Sequence, residues 1–298
     1  MSKIESVLAV TEPRPPTKWS QDRRLKFIDF RLRWEGKINR VDLTKHFAIS
    51  VPQASLDIAR YLELAPANMA YDKSGRVYVA SSAFRALYAS SNASQYLNEL
   101  LTTQIGLLGP EASFVGRRPS MDLVPTPGRQ LNSDTLAELV TAIREHRAVS
   151  VLYQSMTQEA PQRRAVSPHA IAHDGFRWHA RVYCHLRNQY RDFVIARILE
   201  IQPSDVTYVA PTEDKQWANL VKLVLVANPE LSGAHQRVIE LDYGMTEGKV
   251  VLACRQALLF YALKHLGLDQ LTGGGPKAHQ IVLENRPEIE PLLASTAG

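Results

Sequence analysis

Between residues 81 and 210 the chain has no lysine, although the same stretch carries thirteen arginines. Lysine would serve for plain solubility. An exclusive choice of the planar, forked guanidinium points instead to bidentate recognition of phosphate or carboxylate, or to stacking on bases. Cysteine is scarce too: Cys184 and Cys254 stand far apart among apolar residues. That argues against a disulfide-stapled secreted scaffold and reads as two buried reduced thiols. No uninterrupted apolar run approaches the roughly 18 residues of a membrane span, and the first ten residues lack the apolar stretch of a signal peptide. A cytoplasmic location is the expectation, with no membrane partner. Cys-x-x-Cys, His-Glu-x-x-His and Gly-rich nucleotide loops are all missing, and Gly273-Gly274-Gly275, with no Lys-Ser/Thr after it, reads as a turn. Neither a metal nor a cofactor is expected.

The chain has 298 residues, 45% of them apolar and 22% charged, enough for two or three globular domains. The formal net charge of +5 is unevenly spread. Residues 1–80 hold 14 Lys/Arg against 9 Asp/Glu, residues 81–210 hold 13 against 11, and residues 211–298 hold 8 against 10. A basic front and an acidic tail favour a polyanionic partner for the front.

After a proline-containing arm (Pro13, Pro15, Pro16), residues 22–34 show helical spacing, with Leu25, Ile28 and Leu32 on one face and Phe27 and Phe30 beside them. Gly36 ends that helix. A short helix is predicted over 40–47, with Val41, Leu43 and Phe47 turned inward. Ser50 is a good N-cap and Pro52 suits a first helical turn, so a third helix is expected over 51–62. Rotation by 100° per residue puts Val51, Ala54, Ile58, Tyr61 and Leu62 on its inner side. Gln53, Leu56, Asp57 and Arg60 fall outside, with Ser55 at the edge. Residues 71–78 then form a hairpin tipped by Lys73 and Arg76. Helix, helix, turn, helix and basic hairpin is the order of a winged helix-turn-helix, whose third helix enters the major groove while the wing touches phosphate. Gln53, Ser55 and Arg60 are the candidates for base edges, with Ser50 at the start of the same helix. Arg23, Arg24, Arg40, Lys45, Lys73 and Arg76 are the candidates for phosphates, and Asp57 is expected to orient a neighbouring arginine. A helical domain used only for protein contact is the plainer alternative.

Residues 84–105 are expected to be helical with a break near 90–94, and the Gly- and Pro-rich stretch 106–130 reads as a linker. A helix over 131–146 follows, with Ser133 as its expected cap. Residues 148–154 are β-rich. Asp174-Gly175 has the turn chemistry of a hairpin between strands near 165–173 and 176–185. Along the second strand, period two sets Arg177, His179, Arg181, Tyr183 and His185 on one face and Trp178, Ala180, Val182 and Cys184 on the other. The next strand, 191–197, groups Arg191, Phe193, Ile195 and Arg197. Between 163 and 197 lie seven arginines and only two acids, Asp174 and Asp192.

Trp178-His179-Ala180 with Arg181, Tyr183 and Cys184, preceded by Ser167-Pro168-His169-Ala170 and Asp174-Gly175, then Arg191-Asp192-Phe193 and Ala196-Arg197-Ile198, resembles a WYL domain. His179 and Ala180 stand where that family's name has Tyr and Leu. The departure is familiar in the winged-helix WYL regulators of bacterial phage-defence loci such as BREX and CBASS islands. Leu223 to Pro229 and Asp242-Tyr243-Gly244-Met245 resemble the C-terminal extension of the same group. The resemblance runs over about residues 20–291.

It implies an α+β multidomain chain: a flexible arm (1–20), a winged helix-turn-helix (21–83), a helical connector and linker (84–130), a central Sm-like β-barrel or WYL sensor (131–210) and a C-terminal α+β dimerisation domain (211–298). It also implies a nucleic-acid-related ligand, for which an arginine, histidine and tyrosine face is apt. On that reading Arg181, Arg191 and Arg197 grip phosphate beside His179, Ser155 and His169 add hydrogen bonds, and a base stacks on Tyr153 or on an aromatic of the rim. Trp178 reads as core. In the tail, strands are expected near 220–226, 237–241, 249–254 and 281–283, with a helix over 256–266. With no convergent polar cluster, this part reads as a folding and dimerisation unit, because a two-fold dimer on an inverted repeat remedies the short reach of one winged helix.

The expected function is a homodimeric transcription regulator, a repressor rather than an activator and not an enzyme. It would bind a double-stranded inverted-repeat operator near its own promoter and be released by a small anionic nucleotide or nucleic-acid fragment at the WYL domain. The alternative is a nucleic-acid-processing enzyme or accessory subunit acting on a strand held by the central domain. A metal-independent nuclease with His179 as base and Arg181 as clamp lacks a well-placed second acid, and the histidines do not converge on zinc.

Overall fold

The computed structural model describes residues 19–269 and 279–294. The expected arm, apart from residues 19 and 20, and the Gly273–Gly275 turn lie outside them. The chain divides after Pro125 into two compact units.

The first unit begins with α1 (Trp19–Glu35), which buries Leu25, Phe27, Ile28, Phe30 and Leu32. Gly36 ends it at φ +71°, the left-handed region that a residue without a Cβ enters without strain. A short β1 (Lys37–Ile38) leads to α2 (Arg40–Phe47). A reciprocal cap opens α2: Asn39 Oδ1 accepts from Asp42 N at 3.0 Å, and Asp42 Oδ2 accepts from Asn39 N at 2.8 Å. Ser50 caps α3 (Val51–Leu64) by accepting from Gln53 N, with Pro52 in the first turn. Then come β2 (Met69–Asp72) and β3 (Val77–Ala80), paired antiparallel in a sheet of order β1-β3-β2.

Two inward assignments fail here. Val41 and Val51 are exposed, because each stands in the first turn of its helix, short of the core. Asp57 does the opposite and is buried, for a reason given below.

Residues 84–88 are not helical. Their backbone is held elsewhere: Arg85 N donates to Asn68 Oδ1, and Leu87 N and Tyr88 N donate to Asp29. Asp29 is fully buried and also accepts from Tyr61 Oη and Ser91 Oγ, both at 2.5 Å. Burial and that carboxylate push the Tyr61 hydroxyl far above its ordinary pKa. The helix resumes as α4 (Ala93–Gln104), capped by Asn92. Its buried Glu99 accepts from Ser113 Oγ and Phe114 N, which ties the start of the Gly/Pro-rich stretch to the helix. Residues 106–132 contain no helix or strand.

The second unit opens with α5 (Ser133–Arg144). Its cap is Asn132, which accepts from Thr135 N; Ser133 is already inside the helix. Five strands follow: β4 (Val149–Tyr153), β5 (Gln162–His173), β6 (Trp178–Cys184), β7 (Gln189–Val194) and β8 (Ile198–Pro203). The order is β7-β6-β5-β4-β8, all antiparallel. The strand expected over 191–197 stops at Val194, because a 3-10 turn (Ile195–Arg197) carries the chain from one edge of the sheet to the other. Among the described residues no ladder joins β7 to β8, so the hydrogen-bonded sheet does not close into a barrel. Val149, Val151, Val166, Ala180, Val182, Cys184, Phe193 and Ile195 pack its inner face against Leu139 and Ala142 of α5.

A one-turn α6 (Lys215–Ala218) leads to β9 (Leu220–Ala227). The strand expected over 237–241 is instead part of α7 (Gly233–Asp242). Ser232 caps it and Ile239 faces inward, so one helical contact prevails over the β preference of the Val238-Ile239 pair. Then come β10 (Lys249–Arg255), α8 (Leu259–His265), β11 (Ile281–Leu283) and α9 (Arg286–Ala294). β9 is the middle strand of β10-β9-β11, and Leu223, Leu225, Ile239, Leu259, Leu263 and Ile289 form its core. Cys184 is buried, Cys254 is half-buried, and both are unpaired thiols. No helix among the described residues is long and apolar enough to cross a membrane.

Candidate DNA-binding face and effector cleft

Two surfaces carry the chemistry, one on each unit. On the first unit α3 packs Ala54, Ile58 and Tyr61 inward. Asp57 is also inward because Arg24 meets it from α1: Nε donates to Oδ2 at 2.6 Å and Nη2 to Oδ1 at 3.2 Å. Arg24 is therefore removed from the phosphate set; its charge is committed inside the unit. Gln53 leans on the same carboxylate, Nε2 to Oδ1 at 3.2 Å. Asp57 thus does orient an arginine, one contributed by α1.

Other members of the set divide by their partners. Ser50 Oγ is occupied by the cap, Ser55 Oγ donates back to Val51 O, and Arg60 pairs with Glu63 at 2.8 Å. All three are local contacts at a partly or fully exposed surface, and a ligand can exchange them at little cost. Arg23, Arg40 and Lys45 are exposed. At the hairpin tip Lys73 and Arg76 are exposed with no acidic partner among the described residues, and Arg76 sits at φ +52°. Asp72 accepts from Ser74 N and Ser74 Oγ, so the nearby acid is turned into the turn itself. Leu56, 63% exposed, is with Val51 a large apolar side chain that α3 leaves outward.

On the second unit the alternation of β6 holds: Ala180, Val182 and Cys184 enter the core while His179 and Arg181 face the other way. Trp178 departs from it. At the strand end it is 48% exposed, its ring centroid 4.6 Å from that of His173, and it is not core.

The cationic face is not a solvent surface. Arg181 is 3% exposed and surrounded by acids. Its Nε donates to Asp214 Oδ2 at 2.8 Å, Nη2 to Asp214 Oδ1 at 3.0 Å, and Nη1 to Asp192 Oδ1 at 3.2 Å. Gln216 Oε1 takes a further bond from Nη2 at 3.0 Å. Burial would lower the guanidinium pKa, but Asp214 and Asp192 outweigh it and raise it. Burial likewise opposes the Asp214 carboxylate, yet His169, Arg181 and Trp217 N hold it well below the ordinary range. For Asp192 burial prevails over Arg181, and its pKa is raised. The grip expected of Arg181 on an outside phosphate is therefore corrected: two internal carboxylates already fill its fork.

The His169 side chain is buried, its Nε2 3.0 Å from Asp214 Oδ2, with the rings of Tyr190 and Trp217 edge-on to it. His179 Nε2 lies 2.8 Å from Asp174 Oδ2, its Nδ1 is buried without a partner among the described residues, and its ring is 4.9 Å from that of Tyr261 on α8. Burial works against the Asp174 carboxylate, but His179 and the N–H groups of Phe176 and Arg177 hold it well below the usual range. Tyr153 is a core residue: its ring centroid is 4.4 Å from that of Phe193 and its hydroxyl accepts from Val194 N. It cannot receive a base without opening the core. Ser155 and Arg197 are half-buried where β4 ends and β8 begins.

What remains open beside Arg181 is a cleft of about 530 Å³, lined among others by Tyr183, Gln189, Tyr190, Arg191, Lys215 and Tyr261. Arg191 and Lys215 bring positive charge to it, and Asp192, Glu213 and Asp214 also line it. Among the described residues no group of His, Cys, Asp and Glu is placed to hold a metal ion.

Three family models match the chain in succession. The winged helix-turn-helix domain of the BrxR transcriptional regulator matches residues 20–102, the WYL domain residues 134–203, and the BrxR C-terminal dimerization domain residues 220–289. The DNA-binding transcriptional repressor CapW of Escherichia coli (strain KTE188) is 44% identical over 281 residues, covering 94% of each chain. The chain belongs to this family of winged-helix WYL regulators. CapW of Stenotrophomonas maltophilia is 44% identical over 278 residues and 93% of each chain, and CapW of Pseudomonas aeruginosa 43% over 281 residues and 94%. These family members are named as repressors, not enzymes, and the alternative of a nucleic-acid-processing enzyme falls with that.

Within the family frame, sequence reading missed Asp214, Gln216 and Tyr261. The one local signal was Asp214 as the helix cap before Lys215 to Ala218; nothing in the spacing tied it to Arg181.

Proposed function

We propose that the protein is a DNA-binding transcriptional repressor of a phage-defence locus. It acts in the cytoplasm as a homodimer, joined through residues 211–298, on an inverted-repeat operator near its own promoter. The observation that carries the DNA reading is the hairpin tip, where Lys73 and Arg76 are both exposed and have no acidic partner among the described residues. An exposed basic wing next to a helix that offers Gln53, Ser55, Leu56 and Arg60 fits backbone clamping and major-groove reading by one unit. Residues 21–83 are the DNA-binding part and residues 131–210 the sensor. The strand order β7-β6-β5-β4-β8 and the 3-10 turn before β8 support an Sm-like bending of the sensor sheet.

The effector is an anionic nucleotide or nucleic-acid fragment. The cleft beside Tyr183, Tyr190, Arg191 and Lys215 supports this, offering rings for a base and cations for phosphate. Its binding shifts the dimer away from the operator-bound form, which requires different affinities in the two states. An electrophoretic shift with the promoter region tests the first half, and titration of that complex with nucleotides and short oligonucleotides tests the second. Unchanged operator affinity in both Arg76→Ala and Gln53→Ala would remove the wing and α3 from the operator contact. A complex that no anion releases would remove the effector.

A further inference from the structure

Acids neutralise several arginines between 163 and 197. Arg163 pairs with Glu200, Arg177 with Asp174, and Arg181 with Asp192 and Asp214. Arg164 on β5 is different. It is only 6% exposed, yet no carboxylate lies within ion-pair distance of it among the described residues. Its Nη2 makes a long bond, 3.4 Å, to Gln162 Oε1, and its buried Nε has no hydrogen-bond partner among the described residues. The rings of Tyr153 and Phe193 lie 5.8 and 5.9 Å from its Cζ. Aromatic faces soften a desolvated cation, but they do not neutralise it.

The surroundings are polar and short of acid. Strand register sets Gln162 opposite Tyr153, and Tyr153 opposite Ile198, the residue after Arg197. Arg197, half-buried, pairs with no carboxylate among the described residues, and its carbonyl accepts from Gln154 N. Residues 154–161, without helix or strand, cap this end of the sheet. There the Ser155 hydroxyl meets Thr157 Oγ1 at 3.3 Å, and the loop's one acid, Glu159, is exposed and ion-paired to nothing among the described residues. Two arginines, a glutamine and a serine hydroxyl thus gather at one sheet end, and the buried member lacks a counter-charge.

We propose that this end of the sheet is a phosphate subsite, in which a phosphate group of the effector takes the guanidinium of Arg164 as its principal partner while Gln162 gives way. Arg197 and Ser155 complete it. The planar fork fits a phosphate in two-point contact. The subsite is separate from the acid-filled fork of Arg181, and it rests on the reading that the effector is an anionic nucleotide or nucleic-acid fragment. Phosphate from a mononucleotide and from an oligonucleotide chain presents the same group here.

The probe is inorganic tripolyphosphate, with a nucleoside triphosphate and a thymidine tetranucleotide run in parallel. Calorimetric binding to the full chain is measured for the wild type, Arg164→Met, Arg164→Lys and Arg191→Ala. Arg164→Met is expected to weaken tripolyphosphate at least ten-fold, and equally whichever nucleic-acid probe binds. Arg164→Lys recovers part of that, and thermal stability does not fall in Arg164→Met, because removing an uncompensated buried charge relieves a cost. A purely structural arginine gives the reverse pattern, a lower melting temperature with binding retained, and that overturns the subsite. Loss of binding in Arg191→Ala with full binding in Arg164→Met moves the phosphate to the cleft, which overturns the subsite and leaves the effector reading standing. No binding of any probe to the wild type overturns both. If Arg164→Met does not fold, a crystal of the unaltered protein grown with tripolyphosphate decides: a phosphate oxygen within hydrogen-bond distance of Arg164 supports the subsite, and a phosphate elsewhere overturns it.

Discussion

Arg181 and Asp214, 33 residues apart in the chain, are joined by two hydrogen bonds of 2.8 and 3.0 Å inside the second unit. The arginine that most resembles an anion receptor already holds an anion of its own. The pair fastens β6 to the segment that opens α6, and Asp192 and Gln216 complete the guanidinium's contacts.

Removing one partner of such a pair leaves a buried charge short of compensation. Asp214→Asn is expected to cost about 3 kcal/mol of folding stability in urea titration, since loss of one partner of a buried ion pair is strongly destabilising. Arg181→Met combined with Asp214→Asn should cost less than the sum of the two single changes. Additive losses would show that the pair contributes little as a pair.

The two basic groups of the first unit should respond in opposite ways. Arg76→Gly, at a left-handed position, is expected to keep or raise stability while weakening operator binding. Lys73→Ala should reduce the slope of log K against log salt by about 0.9, the share of one phosphate contact. Arg24→Ala should instead lower the melting temperature and leave that slope unchanged in the folded fraction, because Arg24 is spent on Asp57. Fluorescence anisotropy across a salt series, with thermal melts in parallel, separates the two patterns.

Leu56 projects from the middle of α3 and is 63% exposed. Leu56→Ala is expected to change folding stability by no more than about 0.5 kcal/mol, as is usual for surface positions. Operator affinity should nevertheless fall several-fold, with non-specific binding unchanged, if this side chain meets thymine methyl groups in the groove. A competition shift assay with operator and random duplex checks this, and equal loss on both duplexes would count against base contact.

Asp174 and Asp214 both titrate below their ordinary value of 3.8 in the folded chain. Such groups add stability that is fully present above the unfolded-state value and is lost as pH falls from there toward the folded-state pKa. Asp192, shifted up by burial, has the opposite sign: its contribution is present at low pH and disappears as pH rises through its folded-state pKa. Melting temperature should therefore hold near neutrality and drop once pH falls below about 4. Asp174→Asn should make that acid limb shallower, and an unchanged limb would show that the carboxylate is not responsible.

Local chemistry was legible where one stretch of chain decided the outcome. The cap at Ser50, the Asp174-Gly175 turn and the alternation of β6 all depend on neighbours in sequence, whereas the cap read at Ser133 falls one residue earlier, on Asn132. Asp57 could be placed as an arginine's partner but not as a buried one, because that arginine comes from α1, 33 residues earlier. The face of Arg181 was located correctly and misread as open, since its cover arrives from Asp214, far downstream. Val238-Ile239 looked like strand because β-branched residues favour it, and only the cap at Ser232 and a core contact made it helix. Tyr153 was taken for a stacking platform because aromatic rings serve both uses and only depth tells them apart.

Asp29 gives the first unit a mechanical unity that its secondary structure does not suggest. Residues 84–88 form neither helix nor strand, and such a stretch normally opens by itself and is nicked by proteases. Here the amides of Leu87 and Tyr88 donate to a carboxylate at the centre of α1, alongside Tyr61 from α3 and Ser91 before α4. Those amides can exchange their protons only when α1 lets go, so the irregular segment should share the slowest exchange class of the helices around it. A load applied along residues 84–88 would pass straight to α1 and α3, the helix with the outward Leu56.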